Sequence, residues 1–436
     1  DELFQNALAA GVKFTTEYQV TDTYIVSVPT PYDKFSKKVD ACYVVEAVKD
    51  VMRVCPKGAI SFANGKSVID ETICIRCGKC ASACSYHAIA FIERPCQAAC
   101  GMDAIGLDEN GKARIDYDRC VSCGQCLVSC PFGAIVDKSQ IFQVVRSIAE
   151  GNTVVAIVAP SFVGQFGKNV TVPKFVAAMK QLGFSDVVEV AAGADVCAIE
   201  EARDFVEKVP AQQKFLATSC CPSWRMMARR LFPDESGNIS MTYTPMIYTA
   251  RLIKHTHPGS KVVFIGPCAA KKLEAMQQEL RSDVDFVLTY EELMGIFEAK
   301  AIDFSQLPDT DDLHDASGLG RGFAAAGGVA AAVEEVLRRT QPDMEVKIQR
   351  ADGLRECRRL LTLAKAGKFD GYLLEGMACP GGCVAGAGTI IPAEVAKKQL
   401  DAHAKQATVF SCAESPYRTF AGLLEEPAAR EEETKR

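Results

Sequence analysis

Three short motifs and two longer runs hold the residues that can do chemistry in this chain. The motifs are Thr218-Ser-Cys-Cys-Pro-Ser-Trp224, Gly266-Pro-Cys-Ala-Ala-Lys-Lys272 and Glu375-Gly-Met-Ala-Cys-Pro-Gly-Gly-Cys383, and they supply five thiols and a lysine pair. The runs, Cys74/Cys77/Cys80/Cys84 and Cys120/Cys123/Cys126/Cys130, share the spacing CxxCxxCxxxC, and Pro131 follows the second. That spacing wraps a loop around a 4Fe–4S cubane, as in bacterial ferredoxins. Zinc would account for a single CxxC pair, but a zinc ribbon does not ask for the third and fourth cysteines of each run. The implied chemistry is electron transfer through cubanes into a second, unusual metal site.

The composition agrees. The chain has 436 residues, enough for two or three domains, with 48% hydrophobic and 24% charged residues, and it holds 20 cysteines against five histidines. In a small secreted protein that cysteine count would signal disulfides; in a chain of this length, grouped at cubane spacing, it signals thiolate ligands in a reducing cytoplasm. A net charge of −6 with no long basic block argues against a nucleic-acid partner. The longest apolar stretches, near 154–163 and 323–333, fall short of the roughly 20 residues of a membrane helix. No leader with a basic and then an apolar segment is visible, although the first residue is Asp1 rather than Met. The expectation is a cytoplasmic protein with no membrane partner.

Three regions follow. Residues 1–35 form an N-terminal extension with a β-like segment at Tyr24–Val28 and nothing that suggests chemistry. Residues 36–138 are an α+β, ferredoxin-like domain with an internal repeat: Cys55-Pro-Lys-Gly-Ala-Ile, Cys84-Ser-Tyr-His-Ala-Ile, Cys100-Gly-Met-Asp-Ala-Ile and Cys130-Pro-Phe-Gly-Ala-Ile. These are four half-ferredoxin units, two of which have lost the CxxCxxC loop. The eight cysteines of the complete runs make two cubanes if each fourth cysteine crosses to the other cluster, leaving Cys42, Cys55, Cys96 and Cys100. Alternatively Cys55 joins Cys74/Cys77/Cys80 and Cys100 joins Cys120/Cys123/Cys126, leaving Cys42, Cys84, Cys96 and Cys130. Either remainder could ligate a third cubane or could be buried thiols of a degenerate repeat. Residues 139–436 then alternate apolar strands with helical patterns, an α/β domain with parallel sheets. Strands are expected at 153–158, 214–217, 261–265 and 370–374, each running straight into a motif, and ligands bind beyond the carboxyl ends of such strands. Cys221, Cys268, Cys379 and Cys383 would then offer one cubane four thiolates, with the neighbouring Cys220 left over.

At these motifs the chain resembles the di-iron (FeFe) hydrogenases over about residues 70–425. The resemblance implies an H-cluster, a 4Fe–4S cubane joined through one cysteine to a diiron centre carrying carbonyl, cyanide and a dithiolate. It implies Cys221, Cys268, Cys379 and Cys383 as cubane ligands, with Cys383 bridging, and Cys220 as the thiol passing protons to the bridgehead amine. It implies Lys271 as partner of a cyanide, Pro160 and Ser161 as the strand end beside the dithiolate, and Met377 packed nearby. It also implies a proton route from Glu201 through Ser240 to Asp204 and Lys208, where the family more often has Glu and Arg. Gly266 stands where a Met is common, Ala326 where a hydroxyl residue is common, and Gly386-Ala387-Gly388 where prototypes have three glycines. Those departures resemble the divergent group B branch.

The implied function is reversible interconversion of protons and electrons with dihydrogen, with ferredoxin as electron partner and maturation proteins building the cluster. Basic residues near the first cubane loops, Lys37, Lys38, Arg53, Lys57, Arg76 and Lys79, would face an acidic ferredoxin. The competing readings are an iron–sulfur assembly factor of the Nar1-like type, a hydrogen sensor, and a scaffold with structural clusters only. Trp224, Cys197, Cys357 and Cys412 read as core residues.

Overall fold

The computed structural model describes residues 32–33, 38–39, 42–63, 66–70, 72–75, 77–84, 89, 94–110, 112–309, 313 and 316–424. The expected strand at 24–28, Lys37 and Arg76, and the side chains of Lys38 and Cys42, lie outside that description. The chain divides into two units, residues 1–93 and 94–436, so the seam falls inside the cysteine-rich region.

In the first unit, β1 (Tyr32–Asp33) pairs antiparallel with β2 (Lys38–Val39). A helix, Cys42–Val54, leads through Cys55 into a hairpin of β3 (Ile60–Ala63) and β4 (Lys66–Ile69). The first CxxCxxC loop follows and closes on a short helix, Lys79–Ala83, which starts from Gly78 at φ 74°. A left-handed residue there reverses the loop at little cost only because glycine has no Cβ.

The second unit opens on the same plan. A helix, Pro95–Ala98, leads through Cys100 into the hairpin β5 (Ile105–Leu107) and β6 (Ala113–Ile115), then the second CxxCxxC loop and the helix Gln125–Val128. The half-ferredoxin pattern therefore survives as one incomplete and one complete half in each unit. No strand follows Cys130, where the repeat predicts one.

Beyond it lies the α/β body, with β7 (Val154–Val158), β8 (Asp186–Glu189), β9 (Leu216–Ala217), β10 (Lys261–Gly266), β11 (Phe286–Thr289), β12 (Lys347–Asp352) and β13 (Tyr372–Met377). One parallel sheet has the order β11-β10-β7-β8 and the other β12-β13-β9. All five residues of β7 are inaccessible to solvent, because alternate residues face opposite covers. Val154, Ala156 and Val158 pack with Phe175, Met179, Leu293 and Phe297; Val155 and Ile157 pack with Met246, Ile247 and Ile253. Helices on both faces are what continuous apolar strands require. In the second sheet, Leu373 faces Val329 and Val333 while Leu374 faces Trp224. A side-chain carbon on Gly376 would lie 2.3 Å from the indole, so this glycine lets Trp224 lie flat on β13. Trp224, Cys197, Cys357 and Cys412 are fully buried, as read from the sequence.

Candidate functional site

Four strand ends converge on one cavity. β7 runs into Pro160, β9 into Cys220 and Cys221, β10 into Cys268, and β13 into Cys379 and Cys383; all of these line it, with Lys271, Met377 and Phe264. The Cys221 Sγ accepts the N–H of Ala378 at 3.5 Å, which ties the double-cysteine loop to the end of β13. Cys221 is also the N-cap of the helix Pro222–Leu231, where the positive end of the helix dipole favours a thiolate. Gly381 and Gly382, at φ 85° and 94°, make the turn that brings Cys379 and Cys383 to the same cavity.

The donor set fits an iron–sulfur cluster. Burial pushes the Cys268 thiol up to about 11 and Cys383 up to about 12, and raises Cys221 and Cys379 as well; for all but Cys221 the neighbouring thiols add to the rise. Four thiolates cannot share this space unless iron supplies the opposing charge. Among the described residues no three His, Cys, Asp or Glu side chains are grouped to hold a single metal ion. Lys271 is buried and donates to Glu274 at 2.6 Å. Burial alone would lower its pKa, but the Glu274 carboxylate outweighs it and the ammonium is held charged against the cavity.

Cys220, the fifth thiol, lines the same cavity. Burial, then the nearby Glu201 charge, raise its pKa, so it stays a neutral donor. Glu201 is fully buried on the helix Ala191–Lys208; its Oε1 accepts the Ser219 N–H at 2.9 Å, and its Oε2 has no hydrogen-bond partner among the described residues. Burial drives the Glu201 carboxyl up to about 7. Asp204 and Lys208 follow on that helix as a 2.7 Å ion pair, both partly exposed. The Gly-Ala-Asp segment before them is structural: a side-chain carbon on Gly193 would lie 2.3 Å from the Pro245 carbonyl, and Asp195 accepts the Ser317 N–H at 3.0 Å.

Two expected residues stand differently. The Ser240 Oγ accepts the Thr242 N–H at 3.1 Å, whereas Ser219 is the hydroxyl that approaches Glu201, at 3.3 Å from Oε1 and 2.6 Å from the Thr242 carbonyl. Ser161 pairs with the Tyr290 hydroxyl at 2.9 Å rather than lining the cavity. Ser219 sits inside a quoted motif, but no spacing reveals a contact made through its own backbone N–H.

Among the described residues, two further cavities are lined by thiols. In the first unit Cys55 joins Cys74, Cys77 and Cys80; in the second Cys100 joins Cys120, Cys123 and Cys126. This is the second of the two pairings open from the sequence. Cys84 instead packs into an apolar cluster with Val51 and Ile60. Val51 stands four residues before Cys55, as Cys80 stands before Cys84, so a valine occupies the place of a lost ligand. Cys96 is buried, and the Cys130 Sγ accepts the Ala134 N–H at 3.3 Å without lining the cavity. Cys123 lines both its own cavity and the cavity of the five motif thiols, where it is a sixth.

Residues 152–387 match the family described as the iron-only hydrogenase large subunit, C-terminal domain, and residues 73–134 match a 4Fe–4S dicluster domain. The chain is 30% identical to iron hydrogenase 1 of Clostridium pasteurianum over 394 residues, covering 76% of this chain and 67% of that one. It is 31% identical to the periplasmic Fe hydrogenase large subunit of Nitratidesulfovibrio vulgaris, covering 50% and 63%. At 26% identity it also resembles the cytosolic iron-sulfur assembly component 3 of Bos taurus, covering 53% and 59%. Among solved structures, the FeFe-hydrogenase HydA1 of Chlamydomonas reinhardtii shares the fold with a TM-score of 0.53 at 21% identity, covering 67% of this chain and 96% of that one.

Proposed function

Because the chain belongs to the iron-only hydrogenase large-subunit family, we propose that it interconverts protons and electrons with dihydrogen at an H-cluster held in the five-thiol cavity. Cys221, Cys268, Cys379 and Cys383 would hold the cubane, Cys383 would bridge to the diiron centre, and Lys271 would hold a cyanide by a charge-assisted hydrogen bond. When bound, the group supplies the redox and dihydrogen chemistry. The protein's part is proton delivery: Cys220 offers its S–H to the cavity, and the open Oε2 of Glu201 can receive a proton relayed from the Asp204–Lys208 pair at the surface. A water would have to bridge the gap left by Asp204, one methylene shorter than Glu.

The observation that carries this reading is the fifth thiol. A protein that only holds or assembles iron–sulfur clusters needs neither Cys220 beside its ligands nor a buried lysine facing them. Infrared spectroscopy tests it: after maturation the protein should show carbonyl and cyanide bands, and their absence would favour the assembly-factor reading, which the bovine relative keeps in play.

Glu201 makes a pH prediction. With its pKa raised from 4.5 to about 7, the native carboxyl keeps a proton that the unfolded chain releases. Stability should therefore fall as pH rises from about 4.5 to about 7 and stay low above it, by on the order of 3 kcal/mol. Glu201→Gln should remove this dependence and slow turnover. Melting temperatures of the two proteins with parallel pH profiles would contradict the assignment.

Electrons would enter from a ferredoxin through the cubane at Cys55/Cys74/Cys77/Cys80. Lys57 and Lys79 are exposed beside that loop. Reversing both to Glu should raise the KM for reduced ferredoxin while leaving turnover with a small uncharged dye unchanged. The effect should fade with salt, as the Debye length shrinks from about 10 Å at 0.1 M to about 3 Å at 1 M. Equal loss with both donors would mean a damaged cluster, and no loss would place the docking surface elsewhere.

A further inference from the structure

Gly266 ends β10. Residues 264 and 266 project to the same face of the strand. A side-chain carbon built on Gly266 would lie 2.5 Å from Cζ and 2.6 Å from Cε1 of Phe264, and 3.1 Å from the Cβ of Ala159. The tip of the Phe264 ring thus already fills the first position of any side chain at 266. Across the strand pair, Phe264 aligns with Ile157 of β7, and Ala159, two residues on, is small on the same side. Two small residues at the strand ends leave a notch, and the ring leans into it. Phe264 is 3% exposed, and it lines the five-thiol cavity together with Ala159, Pro160, Pro267 and Cys268.

We propose that Phe264 is a positioning residue of the cofactor cavity: its ring walls the space at the end of β10 that Gly266 leaves open, and so shapes the surroundings of the group held there. The proposal rests on the H-cluster reading and adds a residue to it. The physical difference is definite. A Met is an unbranched, polarisable thioether that adjusts to its neighbours, whereas a phenyl ring turns about two bonds and presents no sulfur to the ligands beside it. A ring here makes this wall stiffer than a Met would.

The test compares matured wild-type protein with Phe264→Ala, Gly266→Met and the double variant, reading infrared bands, iron content and melting temperature. Phe264→Ala should keep its iron but shift or broaden the carbonyl and cyanide bands, because the ligands lose their wall. Gly266→Met should lower the melting temperature and deplete those bands, and the double variant should recover both, because removing the ring frees the space the Met needs. Wild-type bands in Phe264→Ala, or a double variant no better than Gly266→Met, would overturn the proposal. If wild-type protein itself shows no bands, the H-cluster reading falls. The melting temperatures would still report the shared space: recovery in the double variant upholds the packing, and simple addition of the two losses refutes it.

Discussion

Cys220→Ala should assemble its clusters with wild-type infrared bands and yet lose about 10²–10⁴-fold in turnover, the usual contribution of a placed proton-transfer group. The size of the loss follows from the surroundings. Cys220 lines the cavity beside four candidate ligands, and burial with the Glu201 charge keeps its thiol protonated. Alanine removes a neutral S–H from that cavity without removing a ligand. Cys220→Asp, which restores an exchangeable proton, should retain more activity than Cys220→Ala. Turnover of the alanine variant equal to wild type under the same electron supply would remove Cys220 from the route.

Replacing Cys55 or Cys100 by Ala should each cost one cubane, about four iron atoms per chain, whereas Cys84→Ala, Cys96→Ala and Cys130→Ala should cost none. Cys55 and Cys100 line the thiol cavities, while Cys84 lies in an apolar cluster with Val51 and Cys130 lines neither cavity, although all three of Cys55, Cys100 and Cys130 accept the N–H four residues on. The outcome separates the two pairings left open by the spacing. If Cys84→Ala or Cys130→Ala loses iron while Cys55→Ala does not, the fourth cysteines cross between clusters after all. A joint Cys42/Cys96 substitution that leaves the iron count unchanged retires the third cubane. Measurement on the intact chain matters, because the second thiol cavity includes Ala269, Lys272 and Leu273 from the α/β body.

What could be read in advance followed the chemistry of burial. β7, β10 and β13 announce themselves by the apolar runs that strands covered on both faces require; β10 and β13 lead into cysteine motifs and β7 into Ala159-Pro-Ser161. β12 escaped because Lys347-Ile-Gln-Arg-Ala-Asp352 is a largely exposed edge strand with no apolar run, and β8 and β11 are four-residue edges of the other sheet. The expected strand at 214–217 shrinks to Leu216–Ala217, the part that pairs with β13. At the site, thiol spacing revealed the candidate ligands, and the family resemblance supplied Glu201 and Cys220. Neither could reveal Ser219, whose contact with Glu201 depends on two distant segments meeting, nor Phe264, whose part depends on the absence of a side chain two residues later. The cysteine pairing likewise required knowing that Cys84 faces Val51.

Cys123 belongs to the walls of two cavities at once, and that adjacency has an electrical cost. Redox centres held in both cavities, as proposed, would not be independent batteries. An electron stored on one raises the energy of placing a second on its neighbour, by about 1.7 kcal/mol for unit charges 10 Å apart at an effective dielectric constant of 20. Their midpoint potentials are therefore properties of the pair. A chain wired this way fills stepwise, and each departing electron makes the next arrival easier.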